Sequence, residues 1–153
     1  MNLTFQKDEI IKEVYRRLSY ISGKRASGAD DYFRFSPCEA DIPLFLRLAD
    51  EAVALIVGRL GTLCSSSSIS HNTFSFNIVC REVTVSGEDI GFHPVAISLF
   101  GSIVCRIVYL WLRISGFDSH PEWDAAAEAE LSLLMSTLNA RNRSPLKPRP
   151  VMP

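Results

Sequence analysis

The run VAISLFGSIVCRIVYLWL, Val95 to Leu112, limits what this chain can fold into more than any other stretch. It is 18 residues long and nearly all apolar, the length of a helix that crosses a bilayer. Arg106 interrupts it about two-thirds of the way along. A guanidinium at mid-bilayer costs about 3 kcal/mol on insertion scales. The sequence around the run alternates amphipathic helix patterns with a polar strand pattern, as a soluble domain does. We therefore read the run as a central helix buried on nearly all sides, and expect no membrane span. Its cover comes from other helices of the chain or from a neighbouring subunit. Arg106 then needs an anionic partner, because a buried unpaired charge is strongly destabilising. Either Glu51 on the second helix pairs with it, or an acid across a subunit interface does. Trp111 and Trp123 read first as core aromatics and second as interface anchors.

The rest of the sequence fits one domain of 153 residues. Hydrophobic residues make up 47% and the net charge is −1, so the chain as a whole exerts no strong pull on nucleic acid. The four cysteines, Cys38, Cys64, Cys80 and Cys105, include no C-x-x-C pair. They read as free thiols in a reducing compartment, not as a zinc site. MNLTFQKDEIIKEV carries charge where a signal peptide needs an apolar run, which points to a cytoplasmic protein or a particle assembled there.

Hydrophobic spacing predicts four helices. Ile10, Val14, Leu18 and Ile21 form one stripe over Lys7 to Ile21, with Gly23 as a stop signal. Asp41 reads as the N-cap of a second helix with Pro43 in its first turn. That helix carries Leu44, Leu48, Ala52, Leu55 and Ile56, with Phe45 and Leu60 beside them, and ends at Gly61. The central helix starts at His93 and Pro94 and ends near Gly116. Ser119 and Glu122 make a capping box for the last helix, whose stripe is Trp123, Ala127, Leu131, Leu134 and Leu138, to about Asn139.

Between the second and third helices the period changes. TLCSSSSISHN reads as a polar connection. Phe74, Phe76, Ile78 and Cys80 then alternate with polar or smaller residues, and Val83 and Val85 continue the β-type composition. The expectation is mainly α: residues 1–141 as one helical domain with one or two strands inserted at about 72–86. A lone strand needs a partner, supplied by DYFRF of this chain or by another subunit.

The sequence carries no catalytic signature. G-x-x-x-x-G-K-[ST] and G-x-S-x-G are both absent. His71, His93 and His120 fall in loops or at helix starts, and the acid pairs Asp30–Asp31 and Glu88–Asp89 fall in turns. We expect no enzyme, no cofactor and no metal. The chain ends instead in RNRSPLKPRPVMP, where Arg141, Arg143, Lys147 and Arg149 alternate with four prolines. Residues 142–153 therefore read as an extended basic arm. Its ends of use are a frayed terminus, a neighbouring subunit, or nucleic acid.

In order and texture this layout resembles the head–tail connector (neck or adaptor) proteins of tailed bacteriophages and prophages. The stretches that carry the resemblance are EIIKEVYRRLSYISGKR, DIPLFLRLADEAVALIVGRLG, TFSFNIV, PVAISLFGSIVCRIVYLWLRISG and EWDAAAEAELSLLMSTLNARNRSPLKPRP. The resemblance implies a four-helix connector-like bundle and a homo-oligomeric ring in the particle, with the isolated chain a monomer in some connectors. It also implies portal and tail-completion proteins as partners, and a location in the cytoplasm during assembly and then in the virion. Under it Trp111 and the basic arm would touch a neighbouring subunit, a partner or DNA. The other reading of the same residues is a cytoplasmic helical adaptor or regulatory module.

Overall fold

The computed structural model describes residues 1–25, 37–79, 94–116 and 120–142. Four helices pack with a small sheet in the order β1 (Asn2–Gln6), α1 (Lys7–Arg25), α2 (Ile42–Leu60), β2 (Cys64–Ile69), β3 (Thr73–Ile78), α3 (Pro94–Ile114) and α4 (His120–Asn142). Single 3-10 turns flank α2 at Glu39–Asp41 and Gly61–Leu63.

The central helix is buried by its own chain. α3 is long and apolar enough to cross a membrane, yet 72% of its most apolar window lies inside the fold. α4, α2 and α1 all pack against it. Three aromatic rings tie these layers together. Tyr15 of α1 meets Phe45 of α2 edge-on at 5.1 Å, and Phe45 stacks on Trp111 of α3 at 4.6 Å.

The amphipathic stripes point where their spacing predicts. Ile10, Val14, Leu18 and Ile21 line the inner face of α1, which runs through Gly23 to Arg25. In α4, Ala127, Leu131, Leu134 and Leu138 face inward, and the helix extends three residues beyond Asn139. The inner face of α2 is rotated from the expected row. Ala49 and Val53 are buried beside Phe45, Leu48, Ala52, Ile56 and Leu60, while Leu55 is 48% exposed. Asp41 does not cap α2 with its side chain; its carboxylate accepts the Cys38 N–H at 2.9 Å and closes the 3-10 turn before the helix.

The sheet has the order β1-β3-β2, and both pairs are antiparallel. The strand predicted from Phe74, Phe76 and Ile78 is its centre, and all three side chains are buried. Its partners are two segments of the same chain, one of them the serine run read above as a polar connection. Nothing in the alternation of CSSSSI marks it as a strand; β3 holds it there through a hairpin in which the Ser70 N–H bonds the Thr73 carbonyl at 2.9 Å. β1 brings Leu3 opposite Phe76 and Phe5 opposite Phe74. Phe5 also meets Phe100 of α3 at 5.9 Å, so the sheet seals one side of the central helix. DYFRF, Cys80, Val83, Val85, His93 and Ser119 lie outside the described residues.

Lys7 fixes the corner between β1 and α1. It is 5% exposed, its Nζ reaches Asp50 of α2 at 2.8 Å, and it lies 4.6 Å from the centre of the Phe74 ring. Asp50 keeps partial contact with water, so the pair carries one desolvated partner and one hydrated one.

α2 ends at Gly61, whose φ of 51° and ψ of −122° suit glycine and strain any L side chain. Gly58, one turn earlier, sits inside the helix with open space where a Cβ would stand. Gly61→Ala should therefore cost about 1–3 kcal/mol, and Gly58→Ala should gain about 0.5–1 kcal/mol. Urea unfolding of the two variants beside the parent checks both signs.

Candidate functional site

Among the described residues, charged side chains at the core edge form two clusters besides the Lys7–Asp50 pair. In the first, Arg106 of α3 is 11% exposed at its side chain and lies against α4. Its two terminal nitrogens donate to the carboxylates of Asp124 and Glu128. Glu128 also accepts from Arg59 of α2 at 2.7 Å, so one carboxylate links three helices. The centre of the Tyr109 ring lies 5.7 Å from the Arg106 guanidinium and 5.6 Å from that of Arg113. Arg106 Nε and the Oγ of Ser102, one turn away, are buried and carry no hydrogen bond.

These contacts correct the expected pairing of Arg106. Glu51 is exposed on α2, and the partners are Asp124 and Glu128 on the last helix. The two acids are four residues apart on α4, so they share a face and grip the guanidinium from one side. Trp111 is also corrected as an interface anchor. It is 7% exposed and stacked on Phe45, so it is spent on the core.

The second cluster lies on α1. Glu13 accepts from Arg16 at 2.7 Å and from Arg17 at 2.9 Å. Arg17 reaches on to the Cys105 sulfur at 3.1 Å. Hydrogen bonding from Arg16 leads in holding the Glu13 carboxyl at about 2, against an opposing push from burial; the Arg17 hydrogen bond and the two positive charges add to it. Burial pushes the Cys105 thiol above its ordinary value despite Arg17, so it is held as a neutral thiol and not as a reactive thiolate.

Neither cluster collects a nucleophile beside a base. Among the described residues no group of three or more His, Cys, Asp or Glu is placed to hold a metal ion. His71 is exposed in the β2–β3 turn, and His120 is the first residue of α4. The outer face of the sheet carries a shallow depression of about 410 Å³ lined by Asn2, Thr4, Ser66, Ser68, Ser75 and Asn77, together with parts of their neighbours. This lining offers hydrogen-bond donors and acceptors and no ionisable group.

Arg141 lies in the last turn of α4. Arg143, Lys147 and Arg149 lie outside the described residues. Asn142 anchors the end of α4, its side-chain amide donating to the Val79 carbonyl at 2.7 Å.

No family model, curated protein or solved structure matches this chain.

Removing one side of the Arg106 cluster should have unequal effects. Arg106→Met keeps most of the packing and leaves two carboxylates that water reaches, so it should cost within about 1 kcal/mol. Arg106→Ala also loses the buried stem and should cost about 3 kcal/mol. The double variant Asp124→Asn with Glu128→Gln strands a buried guanidinium and should cost about 3 kcal/mol or more. Chemical denaturation of the three variants at neutral pH tests this ranking.

Glu13 supplies a pH signature. Its folded carboxyl titrates below its ordinary value of 4.5, so its stabilising effect is complete above that value and is lost as pH falls toward about 2. Glu13→Gln should flatten the fall in denaturation midpoint over that window and leave the slope above it unchanged.

Proposed function

We propose that this chain is a non-enzymatic virion protein of a tailed bacteriophage or prophage that joins the portal of the head to the tail. The order of its elements carries the reading. An amphipathic helix, a DEA-type helix, a β segment, an apolar helix ending in YLW and an alanine-rich helix run into a basic, proline-rich end, as in the connectors the sequence resembles. In this role the chain works by assembly, in a ring around the channel. The basic arm beyond Asn142 latches onto a neighbour or faces the DNA that passes through.

The fold changes how such assembly would work. The central helix and the strand β3, which in the ring picture find partners in other subunits, find them here within one chain. Contacts with portal and tail-completion proteins therefore fall to the basic arm and to exposed apolar residues on the helices, among them Ile97, Ile114 and Leu133. The same self-sufficiency favours a second reading, a cytoplasmic helical adaptor that works as a small folded module.

A portal ring separates the two. Light scattering of the full chain and of a truncation ending at Asn142, each alone and mixed with the portal of its own phage, reads the assembled mass. The connector reading expects the full chain to join the portal in a defined stoichiometry and the truncation to join it at least about tenfold more weakly. A chain that stays monomeric alone and with the portal overturns the connector reading and leaves the adaptor.

A further inference from the structure

We infer that one water molecule is bound inside the α3–α4 contact, where it bridges the Ser102 hydroxyl and the Nε–H of Arg106. The inference concerns the packed core and stands whether or not the chain belongs to a phage particle.

Two buried polar atoms call for it. Ser102 is 1% exposed, and every other buried residue of α3 is apolar or a thiol. Among the described residues its hydroxyl has no hydrogen-bond partner, and neither has Arg106 Nε. A buried donor left without an acceptor is destabilising, so such groups are met by protein or by ordered water.

The ion cluster itself leaves Nε over. Both terminal nitrogens of Arg106 are spent on α4, one on Asp124 and one on Glu128. The guanidinium is a rigid fork, so its Nε–H cannot turn to a third acceptor without breaking one of those bonds. Ser102 lies four residues before Arg106, and the two side chains share a face of α3. Their Cβ atoms then stand about 5–6 Å apart, a gap that one water spans with two hydrogen bonds.

Charge selects the occupant. Nε–H only donates, so its partner must accept, while the Ser102 hydroxyl can do either. A cation would be repelled by the guanidinium. An anion would face the carboxylates of α4, including Glu130, which lies against Gly101 within 3.6 Å of where a Cβ would stand. Water accepts from Nε–H, bonds the hydroxyl and keeps a hydrogen for a carboxylate lone pair. A polar lining with several such partners is what a buried water requires. The water makes Ser102 a positioning residue. It ties the guanidinium to its own helix while Asp124 and Glu128 tie it to α4.

The test is water–protein NOE and ROE spectroscopy at the Arg106 Nε–H of the full chain, isotope-labelled at arginine, beside Ser102→Ala and Ser102→Val. The Nε–H should show a water cross-peak with the sign of a molecule that tumbles with the protein. The cross-peak should persist in Ser102→Ala, where the hydroxyl is gone but Nε and the carboxylates still hold the water. It should be lost in Ser102→Val, whose side chain fills the bridging position. The Nε–H resonance itself reports in each variant whether the ion cluster is intact; if valine disrupts it, the alanine variant decides alone. No water cross-peak in the unaltered chain overturns the inference. So does one that vanishes in Ser102→Ala, which assigns it to a Ser102 hydroxyl bonded directly to Nε. A cross-peak that survives in Ser102→Val places the water elsewhere and overturns the bridge.

Discussion

Covering the central helix is the demand that the rest of the structure meets. Pro94–Ile114 presents apolar side chains on almost every side, and the other three helices and β1 take those sides. α4 lies along it, α1 and α2 close a second flank, and Phe5 of β1 meets Phe100 at its start. The helices bring their apolar stripes to this task, and the stack of Tyr15, Phe45 and Trp111 joins three of them in one contact line. Arg106 is the single charge the helix carries through its middle. The acids that neutralise it come from α4, the helix with the largest contact to α3. The ion cluster thus fixes the angular position of α4, while apolar burial supplies most of the drive to pack it.

The helices were legible because their signal is local. A stripe such as Ile10, Val14, Leu18 and Ile21 states its own face, and Gly61 marks an end by a backbone conformation that glycine adopts easily. What the sequence hides is set by partners distant along the chain. CSSSSI has no alternation to read and becomes a strand because β3 offers an edge. Asn2–Gln6 does alternate, with Leu3 and Phe5 inward, but five residues at a terminus carry little weight without a known neighbour. For Arg106 the need for an acid was plain and its identity was not. Glu51 lies on an amphipathic helix, yet the rotation of α2 turns it outward. Asp124 and Glu128, four apart on an alanine-rich helix, were the available signal. Spacing alone lets Trp111 serve core or interface, and only its stack on Phe45, a residue distant in sequence, puts it in the core.

The described part of the chain covers its own core and still leaves polar and apolar groups outside it. Among the described residues, the uncharged outer face of the sheet and single apolar side chains such as Ile97, Ile114 and Leu133 lie outside that core.

Amide exchange along α3, in a dilute solution where the chain is monomeric and no lipid is present, tests most directly whether the chain buries its own central helix. If it does, the amides from Ile103 to Leu112 exchange most slowly in the molecule, and only through global unfolding. Rapid exchange of those amides in the monomer, with protection appearing on oligomerisation or on addition of membranes, would contradict it.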